Sequence, residues 1–158
     1  MLRISKLTDY ATVILGALAV EPDRQQTAAQ IAARTHVGAP TVAKLLKQLH
    51  GANLVASSRG LHGGYRLRRP AGEITAAAIL DAVEGPIALT ECAVQHHHCG
   101  IEGTCRVGGA WQHVSLAIRR SLEQITLAEL AGLTPGPARF AAFDARLRSG
   151  MTLGGVKS

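Results

Sequence analysis

Cys92, Cys99 and Cys105 lie within fourteen residues, and the chain has no other cysteine. The segment ECAVQHHHCGIEGTC around them adds Glu91, His96, His97, His98 and Glu102, with Gly100 and Gly103 to let it turn. Thiolates are the soft donors that zinc and iron–sulfur clusters select. A chain that places every cysteine in one short loop therefore reads as carrying a ligand set. Structural zinc is usually held by closely paired cysteines, whereas the gaps here are six and five residues. That spacing favours an iron–sulfur cluster over a zinc-stabilised fold. Either a 2Fe–2S or a 4Fe–4S cluster can use three thiolates and one other ligand, so the cluster type stays open.

Other chemistry is poorly supported. A thiol oxidoreductase would need a C-x-x-C pair or an activated cysteine at a helix start, and a disulfide framework built from three cysteines leaves one thiol over. No Ser-His-Asp pattern, phosphate loop or paired-carboxylate site stands out, so the chain reads as a non-enzyme. The apolar run near the amino terminus is interrupted by Thr8 and Asp9 and closed by Glu21. It is too short to span a membrane, and no small-residue cleavage site follows a charged segment. The expected location is the cytoplasm, where thiols stay reduced.

The elements that must position the cysteines divide by charge. Residues 1–70 carry ten Lys or Arg against three Asp or Glu, while residues 71–158 carry seven against eight. A basic first part and a neutral second part imply a polyanion partner for the first part alone. Apolar Ala11, Ile14, Leu15 and Leu18 predict a helix over residues 8–20. Thr27 followed by Gln30 is a capping-box pattern that opens a second helix through about Arg34. His36-Val37-Gly38 makes a turn, and Pro40 sits near the start of a third helix. In that helix Val42, Leu45, Leu46 and Leu49 form a buried stripe and leave Thr41, Lys44, Lys47 and Gln48 facing outward, as in a helix-turn-helix. Leu54–Arg59 and Tyr65–Arg68 read as two strands joined by the loop Gly60-Leu61-His62-Gly63-Gly64. A basic hairpin after a helix-turn-helix is a wing. Its Arg59, Arg66, Arg68 and Arg69 can meet phosphates or enter a minor groove while the third helix lies in the major groove of double-stranded DNA.

The second part begins with a short helix over residues 76–84, capped by Thr75 and stopped by Gly85-Pro86. The cysteine loop follows. A longer helix is predicted from Ala110 to Gln124, with Trp111, Val114, Ile118, Leu122 and Ile125 in a narrow apolar seam suited to a partner helix. A homodimer built on that seam would read two half-sites. Thr126 caps a last turn over residues 127–131. The expected fold class is mainly α: a winged helix-turn-helix domain with a two-stranded wing over residues 1–70, then a cluster-binding loop and a dimerisation helix over 71–131. Residues 132–158 read as a flexible tail.

Taken together, the opening RISKLTDYA, the stretch APTVAKLLKQL, the wing RGLHGGYRL, the helix EITAAAILDAVEGP, the three-cysteine loop and the closing ITLAEL resemble one family. It is the IscR/NsrR-like family of winged-helix iron–sulfur transcriptional regulators, and the match covers residues 1 to about 131. The start through Tyr10 and the wing are most similar to regulators of the SUF cluster-assembly system. The resemblance implies a cytoplasmic homodimer with one iron–sulfur cluster per subunit, acting at promoter DNA as a repressor of cluster-assembly genes. Nitric-oxide or redox sensing on the same fold is the alternative it carries. It assigns the thiolate ligands to Cys92, Cys99 and Cys105, and a fourth ligand to Asp9 of the partner subunit. His96, His97, His98 and His113 are the competing donors.

Overall fold

The computed structural model describes residues 4–86 and 108–134. Helix α1 (Lys6–Val20) starts earlier than its apolar periodicity predicts because Ser5 is an N-cap, its hydroxyl accepting from the Thr8 amide at 3.3 Å. Ala11, Ile14, Leu15 and Leu18 are its buried face. Beyond its end, the Glu21 carboxylate pairs with Arg24 at 3.3 Å and with Arg34 at 2.8 Å. Arg34 belongs to α2 (Ala28–Thr35), so this pairing ties the two helices together. Thr27 and Gln30 form the capping box that their spacing predicts: each side chain accepts from the other residue's backbone N–H.

The turn into α3 (Ala39–Gly51) differs from the glycine-based expectation. His36, with φ 56°, takes the left-handed position, while Gly38, with φ −55°, is the N-cap of α3. Pro40 falls in the first turn, where an N–H would have no helical partner. Val42, Leu45, Leu46 and Leu49 are fully buried, as their spacing requires; each such leucine contributes about 1.5–3 kcal/mol relative to exposure. The other end of α3 closes with Asn53 at φ 59°. Its amide donates to the His50 carbonyl and the Leu54 amide to the Leu49 carbonyl, both at 3.0 Å. Leu54 and Leu49 are both buried, which completes a Schellman ending.

That ending aims the chain into a two-stranded antiparallel sheet, β1 (Val55–Ser58) with β2 (Gly64–Leu67), Val55 opposite Leu67 and Ser58 opposite Gly64. Sequence reasoning found the hairpin but not what fastens it. Gln26, only 3% exposed, exchanges both backbone hydrogen bonds with Tyr65, at 3.0 and 2.8 Å. Gly64 is required there, because a Cβ on it would lie 2.9 Å from the Gln26 carbonyl.

A 3₁₀ turn (Ala71–Glu73) leads to α4 (Ala76–Glu84), which Thr75 caps. Then come α5 (Gly108–Glu123) and the short α6 (Leu127–Leu130), whose capping box joins Thr126 and Glu129. Two distant segments are bolted together at the helix starts. Ala76 N–H donates to the Ile125 carbonyl at 2.8 Å and Leu127 N–H to the Ile74 carbonyl at 2.7 Å. Ile74, Ile79 and Leu127 consequently share one core with Ile14, Leu15, Leu45, Leu46 and Val55. Helix α5 is held on α4 by a two-pronged pair, Arg119 to Asp81, at 3.1 and 2.7 Å. The expected tail beyond residue 134 and the whole cysteine loop lie outside the described residues.

The last residue of α4 makes a contact that no sequence pattern announced. Glu84 accepts from the Ser5 N–H at 3.0 Å and from the Thr8 hydroxyl, placing a carboxylate at the amino end of α1. The Thr8 hydrogen bond, with help from Ser5, lowers the Glu84 pKa below its ordinary value of 4.5. The positive end of the α1 dipole acts in the same direction.

Two measurements follow from these observations. In urea titrations Asn53→Ala should lose about 1 kcal/mol, because alanine lacks the short polar side chain whose local hydrogen bonding lets asparagine adopt the left-handed region, while Asn53→Gly stays close to the unaltered protein. Glu84→Gln should be less stable by roughly 0.5 kcal/mol at neutral pH. Because the folded-state pKa is depressed, that difference is fully present above 4.5 and should fade as pH falls through the lower folded value. A constant difference from pH 7 to pH 3 would remove the charge from the explanation.

Candidate nucleic-acid interface

Helix α3 and the wing bring the sequence-predicted cations to the surface. Lys44 and Lys47 are exposed on the side of α3 opposite its buried stripe, and Arg59, Arg66, Arg68 and Arg69 are exposed on or beside the hairpin. Strand β1 packs on α3, so the helix and the wing form a continuous unit. Among the described residues, the ion pairs engage Glu21, Asp81 and Glu123, and none of these six cations. Their field is therefore not cancelled by an adjacent carboxylate, which is what a polyanion partner needs.

Thr41 and Gln48 differ from the expectation of an outward face. They lie seven residues apart, on the flank of the stripe beside Leu45, and both are half-buried. The Gln48 side-chain oxygen is enclosed without a hydrogen-bond partner among the described residues. Lys44 and Lys47 therefore lie further from the core than their two polar neighbours. Exposed Ala43, between Thr41 and Lys44, offers only a methyl group.

The cysteine-bearing stretch leaves α4 at Glu84 and Gly85, where Gly85 adopts φ 87°, and returns at Gly108 to begin α5. Cys92, Cys99, Cys105, His96, His97 and His98 all lie outside the described residues. Two of the other candidate donors can be placed. His113 is exposed on α5, and Asp9 is exposed in the first turn of α1. The Glu84–Thr8 contact means that the segment departs from the same end of α1 that carries Asp9. Asp9 lines a cavity of about 590 Å3 with Ser5, Thr8 and Thr12 on one wall and Ile79, Leu80, Leu122 and Ile125 on the other. Among the described residues no three His, Cys, Asp or Glu side chains gather at metal-binding distance. Asp9 therefore belongs to no such cluster among the described residues.

The seam on α5 splits in two. Trp111 and Val114 are 44% and 43% exposed, while Ile118, Leu122 and Ile125 are half-buried against the rest of the chain. Leu116, 49% exposed, widens the apolar surface beyond the predicted seam. Residues that sequence reasoning missed are those acting through backbone or single long-range contacts: Gln26 under the wing, Glu84 at α1, and Arg119 with Asp81. Only the Arg119–Glu123 spacing, four apart on one helix, left a trace in the sequence.

The Rrf2 family, described as iron-dependent transcriptional regulators, matches residues 4–132. The HTH-type transcriptional regulator NsrR of Halalkalibacterium halodurans is 28% identical over 131 residues, 82% of this chain and 90% of that protein. Among solved structures, CymR, the global cysteine regulator of B. subtilis, superposes with a TM-score of 0.64 at 30% identity, covering 85% of this chain and 99% of that one. IscR of T. potens superposes with a TM-score of 0.59 at 26% identity, over 82% and 85% of the two chains. These relatives share the winged-helix architecture. No helix of the described residues is long and apolar enough to cross a membrane. The chain belongs to the Rrf2 family of winged-helix, DNA-binding transcriptional regulators and is not an enzyme.

Proposed function

We propose that this regulator is a cytoplasmic homodimer whose grip on promoter DNA depends on an iron–sulfur cluster, and that it represses genes of cluster assembly. The observation that carries the reading is the donor set: three thiolates at Cys92, Cys99 and Cys105 in a segment that leaves the fold at the Asp9 end of α1. In this division of labour residues 1–70 meet DNA through Lys44, Lys47, Arg59, Arg66 and Arg68, with Thr41 and Gln48 at the edge of the contact. Residues 71–131 carry the ligand loop and the dimer helix.

Cys92, Cys99 and Cys105 would hold the cluster, with Asp9 of the partner subunit as the fourth donor. Bound there, it would supply a redox-sensitive link between one subunit's loop and the other's DNA-binding helices. Asp9 is suited to this because it is exposed and sits on α1, the helix against which α2, α3 and β2 pack. A carboxylate is a hard donor beside soft thiolates, so its role is to tie rather than to retain. The likeness to CymR supports a second reading, a regulator that answers to cysteine supply, in which the three thiols act without iron.

Spectroscopy and operator binding on one set of proteins test the proposal. Protein purified without air should show visible absorption that chelation removes, and alanine at any of the three cysteines should abolish it. Asp9→Ala should keep the absorption yet bind operator almost equally with and without the cluster. An undiminished holo-to-apo difference in that variant would transfer the role to His96, His97, His98 or His113. A colourless, iron-free protein whose DNA binding follows cysteine concentration would establish the second reading instead.

Dimerisation is tested at the exposed half of the seam. Val114 is accessible in the single chain, so Val114→Asp should fold normally. Buried against a second copy, the new carboxylate would be left unpaired. Sedimentation should then show a monomer with operator affinity lowered at least tenfold, since one half-site contact is lost. An intact Val114→Asp dimer would place the interface elsewhere.

A further inference from the structure

The tip of the wing carries the most exposed large apolar side chain of the described residues. Leu61 is 96% exposed, against 59% for Ile4, the next in rank. A single exposed leucine is ordinary on a protein surface; this one is distinguished by how firmly its backbone is held. The Gly63 N–H donates to the Gly60 carbonyl at 2.9 Å, closing a tight turn with Leu61 and His62 at its corners. Gly60 adopts φ 107°, and a Cβ on Gly63 would lie 2.5 Å from the Ser58 carbonyl oxygen, so both ends of the turn require glycine. Beneath the turn, the strand ladder and the Gln26–Tyr65 pair fix the base of the hairpin. Leu61 is presented on a backbone with little freedom left to lose on contact.

The surroundings indicate what it would touch. Arg59 precedes the turn, Arg66 lies on the returning strand and Arg68 just beyond it, all exposed and none paired with a carboxylate among the described residues. An apolar protein partner would have to strip water from those guanidinium groups without compensation. A narrow channel walled by anions would not. The minor groove of duplex DNA is such a channel, about 6 Å wide and 7.5 Å deep, and apolar side chains pressed against its base steps can partly unstack them.

We propose that Leu61 is a minor-groove wedge. The wing arginines grip the phosphates on either wall, and the leucine presses on the base step between them. The wing thereby selects for steps that unstack easily, the pyrimidine–purine steps TA and CA, without a hydrogen bond to any base. This rests on the DNA-binding function of the chain and adds a specificity-determining residue to it.

The test selects duplexes from a random-sequence pool with the full-length protein, then compares Leu61→Ala, Leu61→Met and Arg59→Ala on the selected duplex. Leu61→Ala should weaken binding about tenfold, the scale of one leucine's burial. It should leave the slope of log K against log salt unchanged, since no charge is removed. The fluorescence rise of 2-aminopurine at the step beneath the wing should vanish, and selection at that step should relax. Leu61→Met keeps the apolar reach and should keep both signals, whereas Arg59→Ala should flatten the salt slope and retain the fluorescence rise. Unchanged affinity and step preference in Leu61→Ala, or weaker binding with the fluorescence rise intact, would overturn the wedge and leave DNA binding standing. If the unaltered protein captures no duplex from the pool, the wedge and the DNA-binding assignment fall together.

Discussion

Helix α1 must be buried along one side and yet remain open at its amino end, and the placement of almost everything else answers to that requirement. Ala11, Ile14, Leu15 and Leu18 are removed from water, and α2, α3, α4 and α6 all pack against the helix that carries them. The amino end carries positive dipole charge and N–H groups with no helical partner. Ser5 satisfies one of them from within, and Glu84 meets Ser5 and Thr8 from the far end of α4. The helix against which α2, α3 and β2 pack is thus joined to the carboxyl end of α4.

The wing obeys a second constraint, that of a small sheet too short to be stable alone. Its two four-residue strands rest on α3 through Val55 and are fastened to the α1–α2 connection through Gln26. The close approach at Gly64 is what allows the two backbones to meet. A hairpin supported in this way can carry unpaired cations and an exposed leucine without collapsing onto its own helix. Surface properties that cost stability elsewhere are tolerated here because the scaffold beneath them is overdetermined.

Helix α5 shows a different compromise. The Arg119–Asp81 pair and half-buried Ile118 and Leu122, with Ile125 just beyond its end, anchor it to the chain, while Trp111, Val114 and Leu116 remain accessible nearer its start. An interior helix would bury all of these, and a solvent-facing helix would carry few of them. The same element is therefore part core and part open surface, and its Leu122 lines the cavity beside Asp9.

Much of this was legible from residues alone because it depends on neighbours in sequence. Capping at Thr27, Thr75 and Thr126, the stripe of one valine and three leucines on α3, and the glycine-rich hairpin all rest on interactions spanning a few positions, where periodicity and side-chain type decide the outcome. The winged-helix class and the basic surface of Lys44, Lys47 and the wing arginines follow from those local rules together with charge. Tertiary structure decided what depends on distant partners. Nothing near Gln26 in sequence says that its backbone will meet Tyr65, nothing near Glu84 says that it will reach Ser5, and the flanking position of Gln48 becomes visible only when neighbouring elements pack beside it. His36 in the left-handed position in place of Gly38 is of the same kind, since the strain of one residue is accepted to satisfy the packing of two helices. Local pattern determines which elements exist; burial and the pairing of remote polar groups determine how they are joined.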